Sequence, residues 1–384
     1  MAQVNATRGA RLLPPDEPAK NQLAHPLDAN LHAEVDRELA AFLKAKRDDA
    51  AQIDPQFVDA VDSLTDFVLG GGKRLRPTFA WWGWRGAGGS PADPEARAVL
   101  RAVSALELIQ ACALVHDDLI DDSTTRRGAP TVHVDFAARH RAAGWLGTPE
   151  RFGTATAILL GDLALAWADD MLRGSDLWPD QLGRALSVWQ VMRTEVLAGQ
   201  YLDVLTQARG DETPESALQI DRYKTAAYTV ERPLHLGAVL AGAGSALVDA
   251  YRRFGADIGI AFQLRDDLLG MFGDPLVTGK PAGDDLREGK RTLLLAYGLR
   301  NAAAQRRTAA ADLLRRTIGD PKVDGATVCE VRELLVELGA VAQVERQITE
   351  LTNSALASLC VADLPEPAGG RLAELAALAT CRLR

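Results

Sequence analysis

Apolar residues recur at three- and four-residue intervals along most of the chain, which is the spacing of one face of an α-helix. The spacing is clearest over residues 31–46, 95–122, 180–207 and 247–272. Two further segments, residues 153–169 and 234–249, are apolar on nearly every side, as helices at the centre of a large bundle are. Runs of alternating β-branched residues, which would indicate strands, are scarce. The pattern therefore predicts an all-α protein.

Turn-like stretches rich in glycine, proline and charged residues separate the predicted helices. Residues 1–30 contain proline, aspartate, asparagine and lysine but no apolar core like that of a signal peptide, so we expect a flexible N-terminal arm. Residues 31–384 are predicted to form one all-α domain, a single large helical bundle.

Composition and charge narrow the possible functions. The 384 residues are 47% hydrophobic and carry a net charge of −9, which argues against a nucleic-acid partner because such proteins normally present a basic face. The four cysteines are scattered without a C-x-x-C pair, so we expect a reducing, cytoplasmic location. The apolar stretches contain charges and fall short of the ~20 residues that a transmembrane segment needs, so none is predicted.

An acidic cluster follows a long apolar run in the sequence "ALVHDDLIDDSTTRRG", residues 113–128. On a helix Asp117 and Asp121 share one face, about one turn apart, while Asp118 lies about 100° round the axis. The ordinary alternative is a solvated helix end, the usual place of a charge run. However, the apolar approach suggests burial up to His116, and carboxylates at the mouth of a buried bundle favour a cation such as Mg²⁺.

A second acidic pair, Asp266 and Asp267, also ends an apolar helical run. Two such pairs could face each other across one cavity, where they would suit a trinuclear Mg²⁺ cluster on a diphosphate. Most basic residues that could hold the phosphates lie in predicted loops between helices, and one, Lys224, lies on a predicted helix. The loop residues are Lys73, Arg74, Arg76, Arg126, Arg127, Lys280, Lys290 and Arg291. The "GGGK" stretch is not a phosphate-binding Walker loop, and a helix C-cap followed by a basic loop is its ordinary alternative.

Six motifs together identify a resemblance. They are "GGKRLRP", "HDDLIDDSTTRRG", "GQYLD", "YKTAAYTVERP", "FQLRDDLLGMFGD" and "TGKPAGDDLREGKRT". In this order they resemble the trans-isoprenyl diphosphate synthases of the polyprenyl synthetase family, in particular its geranylgeranyl-forming members. The resemblance covers residues 31–384 and implies an all-α bundle around a deep central cavity, usually as a homodimer.

The resemblance also implies a role for individual residues. The implied Mg²⁺-binding residues are Asp117, Asp118, Asp121, Asp266 and Asp267. The implied isopentenyl diphosphate site contains Lys73, Arg76, Gln110 and Arg127. The implied allylic diphosphate site contains Arg126, Lys224, Thr225, Gln263 and Lys280. Those implied to be catalytic are Asp117, Asp121, Asp266 and Lys224.

The implied reaction joins isopentenyl diphosphate to dimethylallyl, geranyl or farnesyl diphosphate, head to tail. The allylic substrate loses diphosphate, whose growing charge Mg²⁺ and cationic side chains stabilise. The double bond of isopentenyl diphosphate attacks the resulting carbocation, and the released diphosphate can accept the proton. No Ser, Cys or His nucleophile is required, so His116 is interpreted as a packing residue.

Two positions depart from the family pattern. Gln110 stands where a histidine is common, and we expect it to keep a hydrogen-bonding role without charge. Gly270 replaces the third aspartate of the second acidic motif, and we expect Asp274 to compensate through water.

Product length should depend on the helix that carries Asp117. Ala113, Cys112 and Ile109 precede Asp117 by four, five and eight residues and are predicted to lie near its face. Because Ala113 and Cys112 are small, a growing chain should pass the first turn, which favours geranylgeranyl diphosphate, C20, over C15. The ordinary alternative is that small residues there only allow close helix packing.

Other functions remain open at this point. The chain could make longer or shorter polyprenyl diphosphates. A class I terpene cyclase has no need of "GGKRLRP" and would usually carry a late Asn/Ser/Glu metal triad, which is not visible. A non-catalytic subunit of a heteromeric synthase would be expected to have degraded acidic motifs.

Overall fold

The computed structural model describes residues 25–273 and 283–380, and helices dominate both ranges. The first helices are α1 (Pro26–Ala29), α2 (Leu31–Ile53), α3 (Pro55–Leu69), α4 (Leu75–Gly86), α5 (Ala96–Ser104), α6 (Leu106–Ile120) and α7 (Val132–Ala143). The middle of the chain forms α8 (Pro149–Arg173), α9 (Pro179–Arg209), α10 (Pro214–Ile220), a π-helix (Asp221–Glu231), α11 (Arg232–Leu240) and α12 (Ser245–Phe272). The remaining helices are α13 (Asp284–Glu288), α14 (Leu293–Ala304), α15 (Thr308–Thr317), α16 (Gly325–Glu337), α17 (Ala340–Ala362) and α18 (Ala368–Thr380).

A short antiparallel hairpin interrupts the helical pattern after α6. Its strands are β1 (Thr125–Arg126) and β2 (Ala129–Pro130), with Thr125 opposite Pro130. With helices throughout the described residues and this one small hairpin among them, the fold is all-α, as predicted.

The packed part of the chain begins a few residues before residue 31, where the sequence predicted the domain to start. Residues 1–24 lie outside the described part of the chain, but Pro26–Ala29 form a helical turn in which Leu27 is buried. Asp28 accepts a hydrogen bond of 2.8 Å from the Trp81 indole and pairs with Arg85 at 3.2 Å. These contacts attach residues 25–30 of the predicted arm to α4.

The long apolar segment 95–122 forms two helices rather than one. They meet at Ala105, directly after Ser104, whose hydroxyl donates to the Leu100 carbonyl at 2.8 Å. Such back-bonding of serine competes with the helical ladder and commonly bends helices. Within Ala96–Ile120 an 18-residue window has a mean hydropathy of 1.8, enough by length and composition to cross a membrane, but 78% of that window is buried inside the fold, as in a core helix.

Two hydrophobic clusters form the interior. The first is built around large, fully buried side chains that include Trp81, Trp84, Trp189 and Tyr251, and the Trp81 and Trp84 rings lie 4.9 Å apart. The second joins the end of α12 to helices α13–α17. The acidic ends of α6 and α12 and the π-helix enclose the cavity described below.

Glycines allow the π-helix to pack unusually close to its neighbours. A Cβ atom on Gly199 of α9 would lie 2.2 Å from the Lys224 nitrogen. Added Cβ atoms on Gly255 and Gly259 of α12 would lie 2.4 Å from the Cα atoms of Glu231 and Ala226. Because the contacted atoms belong to the backbone, the π-helix fits only against neighbouring helices that carry glycine at these points.

Buried ion pairs hold the C-terminal end of the π-helix. Glu231 is 1% exposed and pairs with Arg222 and with Arg252, the latter at 3.0 Å. Arg232 pairs with Glu195 at 2.5 Å and donates to His235 Nδ1 at 3.2 Å. Burial, with the charges of Arg232 and Arg252, lowers the pKa of His235 from its usual 6.5 to about 4.

This lowered pKa predicts a pH-dependent stability. Between pH 6.5 and about 4 the unfolded chain binds a proton at His235 and the folded protein does not. The free energy of unfolding should therefore be highest above pH 6.5 and fall as the pH decreases through this window. Urea unfolding at pH 7 and pH 5 should show a larger loss for the wild type than for His235→Asn. A loss of equal size in both would assign the effect to other groups.

Candidate active site

A cavity of about 490 Å³ lies between α4, α6, α9, the π-helix and α12, and it collects most of the predicted site residues. Its wall includes Lys73, Arg76, Gln110, Ala113, Asp117, Arg126, Arg127, Lys224, Thr225, Gln263, Asp266 and Asp267. Apart from Gln110 and Ala113, these residues come from four of the six sequence motifs, so the fold brings distant segments to one place. Lys280 and Asp274 lie outside the described residues.

The first acidic motif stands at the C-terminal end of α6, where the helix dipole disfavours negative charge and cations compensate. Asp117 Oδ1 lies 3.0 Å from Lys224 Nζ, and Asp121 Oδ2 lies 3.1 Å from Lys290 Nζ. Burial opposes ionisation of Asp117, but Lys224 and Lys290 outweigh it and lower the pKa of this carboxyl. Burial dominates at Asp121 and raises its pKa to about 6.

Asp118 acts on the cavity through Arg126 rather than facing it. Its carboxylate is 1% exposed and accepts from Arg126 Nε at 2.8 Å, with Arg126 Nη2 at 2.6 Å. The 100° rotation between neighbouring helix positions turns Asp118 away from Asp117 and toward the hairpin that carries Arg126. The predicted metal-binding residue Asp118 therefore positions a predicted phosphate-binding arginine.

The second acidic motif occupies the end of α12. Asp266 and Asp267 both line the cavity, and Asp267 is held by a chain of hydrogen bonds. Thr225 Oγ1 donates to Gln263 Oε1 at 2.7 Å, and Gln263 Nε2 donates to Asp267 Oδ1 at 2.7 Å. Burial, with Asp221 and Asp285 nearby, raises the pKa of Asp267 well above its usual value. Thr225 and Gln263, which the sequence assigns to the allylic site, thus also support the second motif.

Lys224 connects the π-helix to the acidic residues around it. Its Nζ lies 3.0 Å from Asp117 and 2.6 Å from Asp203, a residue of the "GQYLD" motif. Burial works against the charge, but Asp117 and Asp203 raise the pKa of Lys224 above its ordinary value. The "GQYLD" motif therefore contacts Lys224 in two ways. Gly199 has no side chain and so allows the backbone of Lys224 to approach α9, and Asp203 binds the ammonium group of Lys224.

Arginines form the opposite wall of the cavity. Arg76 donates to Thr229 Oγ1 at 2.8 Å and stacks over the Tyr228 ring at 4.0 Å. Arg127 donates to the Gly71 carbonyl at 2.7 Å, and burial together with Arg126 and Arg74 lowers its pKa. Arg127 therefore lies in a locally positive environment, which suits a polyanion such as diphosphate.

Arg74 has a structural role within this wall. It is 4% exposed, has a positive φ of 48°, and donates to Asp36 at 2.8 Å, Glu107 at 2.9 Å and the Val68 carbonyl at 2.9 Å. These bonds join α2, α3 and α6 to the glycine-rich turn. The turn that carries Lys73 and Arg76 is thereby held in place.

The acidic residues fit Mg²⁺ that is shared with a phosphate ligand. Among residues 25–273 and 283–380, no three His, Cys, Asp or Glu side chains form a complete metal cage. Mg²⁺ typically takes one or two protein carboxylates and completes its shell with water and substrate phosphate. Asp117 Oδ1 is buried and has only the Lys224 contact, without hydrogen-bond geometry, so it could accept such an ion.

Known proteins are similar to this chain in sequence and in fold. The sequence profile of the polyprenyl synthetase family matches residues 59–328. The chain belongs to the polyprenyl synthetase family. As a member, it is a trans-prenyltransferase.

Individual relatives of this prenyltransferase differ in product. It is 36% identical over 284 residues to the geranylfarnesyl diphosphate synthase of Aeropyrum pernix, covering 72% of this chain and 80% of that one. It is 35% identical over 284 residues to the (2E,6E)-farnesyl diphosphate synthase of Mycobacterium tuberculosis, covering 73% and 72%. The crystal structure of geranylgeranyl pyrophosphate synthase from Corynebacterium glutamicum, complexed with isoprenyl diphosphate and magnesium, is 47% identical and aligns with a TM-score of 0.89 over 94% of this chain and 100% of that one.

Gln110, one departure of this prenyltransferase from the family pattern, lines the cavity and accepts a hydrogen bond there. The Tyr228 hydroxyl donates to Gln110 Oε1, which leaves the amide N–H groups of Gln110 for other partners. At this position a histidine, which can carry a charge, is thus replaced by a neutral glutamine whose amide oxygen is held by Tyr228.

Of the three residues predicted to set product length, Ala113, Cys112 and Ile109, only Ala113 lines the cavity of this prenyltransferase. Among the described residues, α6 contributes Ala113 and Leu114 to the cavity wall near Asp117, but neither Cys112 nor Ile109. Cys112 is 6% exposed, with its sulfur 3.7 Å from His116 Nδ1, and Ile109 is 2% exposed in the first hydrophobic cluster. A residue five positions before Asp117 lies about 140° away from it, whereas Leu114, three positions before, lies close to the same face.

Proposed function

We propose that this prenyltransferase condenses isopentenyl diphosphate with allylic diphosphates to make geranylgeranyl diphosphate, C20. The observation that carries the proposal is the cavity itself, in which two acidic motifs face a wall of arginines. Negative and positive side chains across one small space suit two diphosphates that share metal ions.

Each side of the cavity is assigned one diphosphate. Lys73, Arg76, Gln110 and Arg127 would hold isopentenyl diphosphate, the substrate that keeps its diphosphate. Arg126, Lys224, Thr225, Gln263 and Lys280 would surround the allylic diphosphate. The residues that would hold Mg²⁺, proposed as three ions with substrate bound, are Asp117, Asp121 and Asp266, with Asp267 beside them and Asp118 acting through Arg126. When bound, Mg²⁺ would supply positive charge to the departing diphosphate.

The side chains contribute to the reaction by fixing charge in advance. Lys224 and Arg126 are already held by carboxylates, with contacts of 2.6 Å to Asp203 and 2.6 Å to Asp118. Cations positioned before reaction stabilise the leaving diphosphate without reorganising, which is the main electrostatic advantage of an enzyme site. The cavity also has apolar wall residues, among them Leu114, Val196 and Phe262, that would receive the prenyl chain.

Product length is proposed from the α6 wall. A turn of helix rises about 5.4 Å, close to one extended isoprene unit, so the residues one turn below Asp117 should decide whether a chain continues. Here these residues are Ala113, which is small, and Leu114. A C20 product is proposed because the small side chain of Ala113 lets the prenyl chain grow past the first turn of α6, whereas Leu114 narrows the cavity there.

Substitutions on this wall should change the product in opposite directions. Ala113→Phe is expected to stop growth at farnesyl diphosphate, C15, and Leu114→Ala is expected to give chains longer than C20. The measurement is the size of the prenyl alcohols, released by phosphatase, after incubation with geranyl diphosphate, Mg²⁺ and excess isopentenyl diphosphate, with Ala113→Ser as the matched small control. A wild type that stops at C15, or a folded and active Ala113→Phe variant with unchanged products, would refute the assignment.

A homodimer is proposed as the assembled form. Several apolar side chains on α8 and α9 are between 42% and 67% exposed: Ile158, Leu159, Val191, Leu197, Tyr201 and Val204. Exposed apolar side chains concentrated on two helices commonly mark a protein interface. A cytoplasmic location is proposed because Cys112, Cys329 and Cys360 are free thiols.

A further inference from the structure

The glycine-rich turn before α4 has a backbone that its own residues do not fix. Gly71 and Gly72 have positive φ values of 113° and 135°, which favour glycine, and residues 71–74 form no regular secondary structure. Glycine can adopt many backbone conformations, so a turn of this kind keeps one conformation only where other groups hold it. The conformation of the turn matters because Gly72 and Lys73 line the cavity.

Side chains from two other segments hold the carbonyl groups of this turn. Arg127, which lines the cavity, donates to the Gly71 carbonyl at 2.7 Å. His32, in the first turn of α2, contacts the Gly72 carbonyl through Nε2 at 2.8 Å. A carbonyl oxygen only accepts hydrogen bonds, so Nε2 carries the proton and donates. Each of the two glycine carbonyls thus has one side-chain donor.

The position of His32 is itself fixed by its surroundings. Asp36 Oδ2 lies 3.3 Å from the other ring nitrogen, Nδ1, and can accept a second hydrogen bond when the ring is protonated. Asp36 Oδ1 accepts from Arg74 Nε at 2.8 Å, so the same carboxylate contacts both the histidine and the turn. Leu31 and Glu34, in the same turn of α2, are buried, which anchors the backbone that carries His32.

The bond to the Gly72 carbonyl orients the residue that follows. A trans peptide is planar, so its carbonyl and its N–H group point in opposite directions. Because His32 holds the Gly72 carbonyl toward α2, the orientation of the Gly72–Lys73 peptide is set, and with it the direction in which the Lys73 side chain leaves the turn. Among the described residues none from α2 lines the cavity, so His32 acts there through the turn.

We propose that His32 is a positioning residue for isopentenyl diphosphate, and that its hydrogen bond holds the glycine-rich turn in the conformation in which Lys73 meets the diphosphate of this substrate. The inference rests on the proposed function, which assigns Lys73 to that substrate. A turn that is already ordered loses less conformational entropy when it binds, so the histidine should strengthen binding without touching the ligand. It should have no comparable effect on the allylic diphosphate, whose proposed residues among those described lie on the hairpin, the π-helix and α12.

Removal and partial replacement of the imidazole test this role. In His32→Ala the KM for isopentenyl diphosphate should rise by about 3- to 10-fold, the effect of losing one hydrogen bond, while kcat and the KM for geranyl diphosphate stay close to the wild-type values. In His32→Gln an amide N–H can still donate to the Gly72 carbonyl, so most of the affinity should return. Titration calorimetry with isopentenyl diphosphate alone should give the same order, with tighter binding by the wild type and His32→Gln than by His32→Ala.

Controls separate positioning from a general structural effect. Lys44→Ala, at an exposed position about three turns further along α2, should match the wild type in both KM values. The proposal is wrong if His32→Ala keeps the wild-type KM for isopentenyl diphosphate, or if His32→Gln is as impaired as His32→Ala. Equal rises in both KM values together with a lower melting temperature would assign His32 a structural role and also refute it. A wild type that does not condense isopentenyl diphosphate with geranyl diphosphate would instead overturn the proposed function.

Discussion

Asp117→Asn is expected to lower kcat by about a thousandfold while the protein stays folded. The substitution keeps the shape of the side chain but removes the charge that pairs with Lys224 at 3.0 Å and that would hold Mg²⁺. Loss of one positioned electrostatic contact in an active site typically costs about 10²–10³ in rate, and this position combines two. Lys224 keeps its 2.6 Å contact with Asp203, so its ammonium group is not left without a carboxylate.

Asp122→Asn provides the matched control for this prediction. Asp122 belongs to the same acidic run but is exposed and has a positive φ of 52°, which asparagine also tolerates. Turnover, circular dichroism and thermal unfolding should therefore be close to those of the wild type. Equal losses of turnover in both variants, or wild-type activity that survives EDTA, would show that Asp117 does not act through a metal.

The helical content was accessible from the sequence because it depends on local periodicity. The apolar spacing over residues 180–207 and 247–272 corresponds closely to α9 and α12. The break at Ala105 was not accessible, since the apolar pattern continues through it and only the back-bonded Ser104 marks the position. The π-helix was equally hidden, because tertiary contacts with glycines on α9 and α12 accompany its wider turn.

The sequence predicted which residues line the cavity better than it predicted which carboxylate pairs with which cation. Motif residues such as Asp117, Lys224 and Asp266 lie in one cavity, because the last turns of α6 and α12 and the first turn of the π-helix meet there. Which carboxylate meets which cation depends on the approach of distant helices, so the Lys224–Asp203 and Lys290–Asp121 pairs could not be read from spacing.

The positions of two carboxylates in the cavity wall could not be predicted from the sequence. Asp221 stands at the start of the π-helix, where burial and Asp203 raise its pKa to about 8. Asp285 belongs to a motif that was noted for its lysine, and its position over Gly270 requires the tertiary structure.

Gly199→Ala is expected to lower both the stability and the activity of the protein. The added Cβ would lie 2.2 Å from the nitrogen and 2.6 Å from the Cα of Lys224, so the π-helix backbone would have to move. Overpacking of this kind costs about 1–3 kcal/mol of stability. The displacement would also move Lys224 away from Asp117, and a shift of about 1 Å at a catalytic group can cost about 100-fold in kcat/KM.

Gly183→Ala on the same helix makes the comparison decisive, because an added Cβ there meets no atom within 4 Å. Alanine is a better helix former than glycine, so this variant should be more stable by up to about 1 kcal/mol and fully active. The two proteins differ only in where the methyl group is placed on α9. The melting temperature should therefore fall in Gly199→Ala and stay the same or rise in Gly183→Ala. The value of kcat/KM for the allylic substrate should fall only in Gly199→Ala. If Gly199→Ala keeps both its stability and its kcat/KM, the close approach of α9 to the π-helix does not position Lys224.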